Sequence, residues 1–233
     1  MNNKYKPEIK ICGITNLDDA RAAVDAGADY LGFVLYEKSP RAISPSNLGR
    51  LLEKLGRKIK TVGVFVNKSM LAVSKIAGDC GLDIIQLCGE EQPDAIRLLA
   101  RPVWRVIRME NNIVVPALEK WPACNAGRLA APRESGTAGG PVERYVLDSS
   151  QTGLYGGTGV AMDWTMAAGI AAKHKIMLAG GLTPKNVATA IRLVRPFGVD
   201  VSSGIELKHG IKDHEKMRFF IEVVKCACHD NSI

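Results

Sequence analysis

Residues 10–35 read KICGITNLDDARAAVDAGADYLGFVL. The apolar run Lys10 to Ile14 predicts a strand, and Tyr30 to Leu35 predicts a second one. Between them Ala20, Ala23 and Val24 recur at helical spacing and give the connecting segment an apolar face. Asn16 suits the helix N-cap, Asp18 and Asp19 complement the positive end of the helix dipole, and Gly27 ends the helix. A strand, a helix and a second strand in so short a reach predict a parallel βαβ unit.

The same unit recurs outward along the chain. A helix from Pro45 to Leu55 is expected behind a Ser44 cap and is closed by Gly56. Thr61 to Val66 then reads as strand and Ser69 to Asp79 as helix, followed by Asp83 to Leu87 and Pro93 to Ala100. Val103 to Met109 is a further strand, with a short helix around Pro116 to Trp121. Tyr145 to Leu147, Lys175 to Ala179 and Val199 to Ser202 complete the strands. The helices among these last units are Trp164 to Lys173, one capped by Thr183 and opened by Pro184, and Asp213 to Lys225. About eight strand-then-helix repeats predict an α/β fold, a single-domain (β/α)8 TIM barrel spanning residues 1–233. An open doubly wound sheet is the alternative, but it carries a Gly-rich fingerprint after its first strand. Here that strand leads into Cys12-Gly13-Ile14-Thr15. The stretch 123–142, rich in Gly, Ala, Pro and Arg, lacks periodicity and reads as a loose insertion on the face away from chemistry rather than as a lid.

Composition narrows the function classes. The 233 residues, 46% hydrophobic and 24% charged, match an ordinary globular protein and exclude collagen-like, mucin-like or wholly disordered chains. A chain of this length buries roughly 70% of its unfolded surface without needing disulfides or metal. It has no apolar run of membrane-spanning length and no apolar stretch of a signal peptide at its start, so a cytoplasmic location with no membrane partner is expected. Six scattered cysteines with no C-x-x-C pair agree with that location. Cys226, Cys228 and His229 cluster near the terminus without a second ligand pair, so no zinc site is read there. The net charge of +7 is spread along the chain without interleaved aromatics, which favours an anionic metabolite over nucleic acid.

In a barrel the reactive groups stand where strands end. Strand ends here carry Cys12, then Tyr36 to Arg41, then Gln86 to Glu90, then Asp148-Ser149-Ser150. The last two carry Ala179-Gly180-Gly181-Leu182 and Ser202-Ser203-Gly204-Ile205-Glu206. Glycines let backbone N–H groups close on a ligand, and a helix N-terminus adds partial positive charge. With the Gly156-Gly157-Thr158-Gly159 loop, these ends predict a phosphate site that uses Gly156, Gly157, Gly180, Gly181, Ser203 and Gly204.

The ordered set of motifs resembles the phosphoribosylanthranilate isomerase family over nearly the whole chain. It comprises Lys10-Ile-Cys-Gly-Ile-Thr15, Gly32-Phe33 with Lys38-Ser-Pro-Arg41, Val62-Gly-Val-Phe-Val-Asn67 and Gln86-Leu-Cys-Gly89. It continues through Leu147-Asp148-Ser149, Gly156-Gly-Thr-Gly159, Asp163-Trp164, Ala179-Gly-Gly-Leu182 and Asp200-Val-Ser-Ser-Gly-Ile-Glu206. The resemblance implies a cofactor-free enzyme of tryptophan biosynthesis that needs no metal. It also implies an Amadori rearrangement of an aminoaldose phosphate, with Cys12 as general base and Asp148 as general acid. Arg41 would hold the anthranilate carboxylate, for which a planar fork suits better than a point charge. The implied partner is a small phosphorylated substrate, and the oligomeric state, monomer or homodimer, stays open.

The residue types suit those roles. A free thiol titrates near pH ~8.5, so a modest shift makes thiolate available at neutral pH. A free aspartate, with a pKa of ~3.9, must be raised to act as an acid. Two positions depart from the family pattern: Cys88 stands where the family usually has His, and Val160 where it commonly has Lys. Related barrels fit less well. The isomerase of histidine biosynthesis is expected to show Asp in place of Cys12, and indole-glycerol-phosphate synthase relies on a strand-end Lys and glutamates. Metal-dependent epimerases need strand-end ligands, but the four histidines, 174, 209, 214 and 229, occupy no strand end. Another phosphosugar-binding barrel enzyme and a non-catalytic binding member are the alternatives.

Overall fold

A computed structural model describes residues 5–56, 58–109, 118, 120–121, 142–148 and 164–227. Eight parallel strands close on themselves in chain order: β1 Glu8–Cys12, β2 Tyr30–Val34, β3 Lys60–Phe65, β4 Ile84–Leu87, β5 Val103–Arg108, β6 Arg144–Asp148, β7 Ile176–Leu178 and β8 Gly198–Val201. The helices are α1 Leu17–Ala26, α2 Pro45–Leu55, α3 Met70–Asp79, α4 Trp164–Ala171, α5 Val187–Val194 and α6 His214–Ala227. The TIM barrel expected from the repeats is therefore the fold. Closure comes from β8 pairing with β1, in a register that sets Lys10 beside Asp200.

Local sequence explains the elements. Asn16 caps α1 by accepting the Asp19 N–H at 2.9 Å, and Ser44 caps α2, with Pro45 in its first turn. Strand residues alternate between two cores, because successive side chains leave a strand on opposite faces. Leu31, Phe33, Ile85, Leu87 and Leu147 point outward, into the large core beneath the helices. Tyr30, Val62, Ile84, Trp104, Val146 and Met177 fill the lumen. Its amino-terminal end is plugged by Arg144, which pairs with Glu8 and lies over the rings of Trp104 (5.1 Å) and Phe197 (4.2 Å). That end is filled, and the lumen opens where the strands end.

Several boundaries differ from expectation. The segment after β4 is a 3₁₀ helix, Pro93–Leu98, in place of the α-helix expected to reach Ala100. It contains a single buried residue, Ile96, too little apolar face to hold a full α-helix down. Thr183 does not cap a helix: Asn186 precedes α5, and its side chain accepts the Thr183 N–H at 2.8 Å, so Pro184 opens a turn instead. A two-stranded hairpin, β9 Glu206–Lys208 with β10 Ile211–Lys212, follows β8 and was not foreseen. The insertion at 123–142, all but Val142, and most of the short helix near Pro116 to Trp121 lie outside the described residues. No helix among the described residues is long and apolar enough to cross a membrane.

Candidate active site

The lumen opens at the carboxyl ends of the strands into a cavity whose walls come from all eight strands or the loops that follow them. Cys12, Arg41, Asp148, Gly180, Gly181 and Ser203 all line it. Gly204 stands behind the rim, packed on the loop after β7. Gly156, Gly157 and Val160 lie outside the described residues.

Cys12 ends β1 with its side chain toward the lumen. It shares that face with Lys10, which is fully buried and bound to Asp200 Oδ2 at 2.7 Å. Burial pushes the Cys12 thiol above its ordinary value, and the Lys10 ammonium is the largest influence pulling it back. Gly32 on β2 makes the arrangement possible. A Cβ there would sit 2.8 Å from Cys12 Sγ and 2.9 Å from Lys10 Cε.

Arg41 is buried, and its planar fork is already occupied. Nε and Nη2 donate to the two oxygens of Glu206, each at 2.8 Å, and Nη2 also lies 3.1 Å from His209 Nδ1. Lys212 Nζ donates to Glu206 Oε1 at 2.9 Å and to the Ser202 carbonyl at 3.2 Å. Burial by itself would raise the Glu206 carboxyl, but hydrogen bonds from Arg41 and Lys212 hold it down at about 2. The bidentate clasp expected for a ligand carboxylate is thus made within the protein, and Nη1 takes no part in it. The β9–β10 hairpin supplies Glu206 and Lys212, which is why the unforeseen hairpin matters to the site.

Asp148 ends β6 opposite Arg108, its register partner on β5. Arg108 Nη2 donates to the Cys88 carbonyl at 3.0 Å. The Cys88 thiol, on the cavity floor, receives Gln86 Nε2 at 3.5 Å, and burial pushes it up to about 12. It is therefore a neutral group at physiological pH.

After β7, Gly180 and Gly181 have φ of 80° and 65°, a left-handed pair that only glycine adopts in succession at little cost. The turn they make runs against the loop after β8. There a Cβ on Gly204 would lie 1.9 Å from the Leu182 carbonyl oxygen. Two glycine loops are thus packed backbone to backbone on the cavity wall.

The residues not named as site members by sequence reasoning are Lys10, Asp200, Gln86, Arg108, Glu206 and Lys212. Glu206 and Lys212 lie on the hairpin beyond β8, but Lys10, Asp200, Gln86 and Arg108 share a signal, a charged or amide side chain inside an apolar β run. In a closed barrel that position means the lumen. Among the described residues, no group of three or more His, Cys, Asp or Glu is placed to hold a metal ion.

Fold and site define an enzyme of the (β/α)8-barrel class, with a cavity at the strand ends walled in part by glycine loops. The profile of the N-(5'-phosphoribosyl)anthranilate (PRA) isomerase family matches residues 9–223. An N-(5'-phosphoribosyl)anthranilate isomerase of Pelobacter propionicus is 43% identical over 218 residues, which are 94% of this chain and 95% of that one. Among solved structures, the phosphoribosyl anthranilate isomerase of Thermotoga maritima is 34% identical with a TM-score of 0.79, covering 94% of this chain and 99% of its own. A phosphoribosyl anthranilate isomerase in complex with reduced 1-(o-carboxyphenylamino)-1-deoxyribulose 5-phosphate is 33% identical with a TM-score of 0.76, over 94% and 99% of the two chains. The chain belongs to the N-(5'-phosphoribosyl)anthranilate isomerase family.

Proposed function

We propose that this isomerase of tryptophan biosynthesis converts N-(5'-phosphoribosyl)anthranilate to 1-(2-carboxyphenylamino)-1-deoxyribulose 5-phosphate by an Amadori rearrangement in the strand-end cavity. Asp148 gives a proton to the ribose ring oxygen as the bond from that oxygen to C1 breaks. The nitrogen lone pair forms the C1 Schiff base. The Cys12 thiolate then takes the C2 proton, and the electrons of that bond move toward nitrogen to give an enolamine. Protonation at C1 and loss of the C2 hydroxyl proton complete the ketose, and a proton passes from Cys12 to the acid side to reset both groups.

The observation that carries this reading is that Cys12 and Asp148, from β1 and β6, line one cavity whose wall holds the paired glycine loops. A base and an acid face each other across a space rimmed by amides suited to the sugar phosphate. The substrate's 5-phosphate belongs at Gly180, Gly181, Ser203 and Gly204, with Gly156 and Gly157 expected to add donors. Arg41 meets the anthranilate carboxylate through Nη1, because Glu206 holds its other edge.

The test follows loss of anthranilate fluorescence as freshly prepared phosphoribosylanthranilate is consumed. Folded Cys12→Ala and Asp148→Asn variants are expected to lose ~10²-fold or more in kcat. Turnover in both variants at the wild-type rate overturns the acid and base roles. A folded wild type that leaves the substrate untouched overturns the reaction itself.

A further inference from the structure

The cavity floor holds a charged pair that this chemistry does not use. Lys10, in the middle of β1, is completely buried, and its Nζ lies 2.7 Å from Asp200 Oδ2 on the neighbouring strand. Stability is a weak reason to keep such a pair, since apolar replacements of buried ion pairs are often neutral or stabilising. Asp200 Oδ1 is buried with no hydrogen-bond partner among the described residues, so the pair is not a saturated structural network. Its neighbour is the base. Cys12 leaves β1 on the same side as Lys10, and both side chains crowd over Gly32, whose absent Cβ would touch Cys12 Sγ and Lys10 Cε alike.

We propose that Lys10 is a positioning residue for the isomerisation: its ammonium, anchored by Asp200, lies against the Cys12 sulfur and stabilises the thiolate that removes the C2 proton. The inference rests on Cys12 being the base. Lys10 never meets substrate, because it is sealed beneath the cavity. Its charge persists through the cycle. Burial alone would lower its pKa, but the charges of Asp200 and Cys12 raise it above the ordinary lysine value. When Cys12 takes the proton and becomes a neutral thiol, Asp200 still balances Lys10, so no lone charge is stranded in the lumen. The other groups that bear on the sulfur are Asp200 on β8, which opposes the thiolate, Lys212 on β10, which favours it, and the neutral Cys88 thiol just after β4. Gly32 on β2 brings no charge.

The experiment measures the pH dependence of Cys12 alkylation by iodoacetamide in the folded protein, read by mass spectrometry of the peptide that contains Cys12. The proteins are wild type, Lys10→Met, Asp200→Asn and the double variant. Lys10→Met leaves Asp200 buried and uncompensated and can fail to fold. The double variant removes both charges together and is expected to keep the fold. In Lys10→Met, alkylation at neutral pH is expected to slow by about tenfold or more, the effect of one pH unit in the thiol. The double variant slows less, and Asp200→Asn speeds the reaction. The acid limb of kcat/KM against pH moves with the alkylation midpoint in each variant. An unchanged midpoint in the folded double variant overturns the proposal, and so does a double variant that does not fold, since the pair is then structural. The two readings separate cleanly. If the alkylation midpoints shift as expected while the wild type fails to turn over phosphoribosylanthranilate, the isomerase reading falls and the electrostatic link between Lys10 and Cys12 stands.

Discussion

At the scale of single residues, Glu206 ties the site to the stability of the fold. Its carboxyl falls from an ordinary 4.5 to about 2, because Arg41 and Lys212 donate to it from two sides. An acid with a depressed folded-state pKa stabilises the fold fully above its unfolded value, and that contribution fades as pH falls through the folded value. A shift of this size corresponds to on the order of 3 kcal/mol. The urea midpoints of wild type and Glu206→Gln are therefore expected to differ at neutral pH and to converge as pH drops from 4.5 toward 2. A gap that stays constant with pH counts against the ion-pair account. Gly32 is a second decisive residue. In Gly32→Ala the new methyl, set 2.8 Å from Cys12 Sγ, forces the sulfur aside. The expected result is a stability loss of ~1–3 kcal/mol, seen in denaturant titration, together with a fall in kcat at saturating substrate.

Among elements, the two loops after β7 and β8 work as one piece. The left-handed pair Gly180 and Gly181 turns the first loop, and Gly204 lets the second lie directly on the Leu182 carbonyl. A side chain at position 204 must drive the loops apart, since its Cβ would lie 1.9 Å from a backbone oxygen that cannot rotate away. Gly204→Ala is expected to weaken binding of inorganic phosphate by about tenfold, because fixed amide donors lose their aim when one loop shifts. Isothermal titration with phosphate, alongside a thermal melt to confirm folding, checks this. Unaltered phosphate affinity in the folded variant removes these loops from the phosphate site.

For the whole molecule, the barrel separates stability from chemistry by its two ends. The amino-terminal plug of Arg144, Glu8, Tyr30, Trp104 and Phe197 lies across the lumen from the cavity. Arg144→Met leaves the Glu8 carboxylate without its cation and removes the stacking on Phe197. The expected outcome is a destabilisation of ~3–5 kcal/mol in equilibrium unfolding, with kcat/KM unchanged below the new midpoint. A loss of kcat/KM without a loss of stability contradicts this division of labour.

Most of the barrel was legible in the chain, because each unit announces itself locally. The apolar runs, the caps at Asn16 and Ser44 and the stop at Gly27 act through neighbours in sequence, and eight repeats of that pattern leave few ways to bury every strand on both faces. That Cys12, Arg41, Asp148, Gly180 and Gly181 stand together at the barrel mouth was also legible, since strand ends are where a barrel keeps its polar residues. What the chain could not show is which side chains meet across the lumen. Lys10 reaches Asp200, and Arg41 reaches Glu206, over separations of 190 and 165 residues. Those pairings follow from barrel closure and strand register, which fix distances that no local pattern encodes. The 3₁₀ turn after β4 and the β9–β10 hairpin escaped for the same reason: one has too little apolar face to announce a helix, and the other is held where Glu206 and Lys212 find Arg41. Sequence determined the barrel and the side chains gathered at its mouth. Only the tertiary structure decided which charges stand behind those groups, because a charge acts through space and the chain reads only along its length.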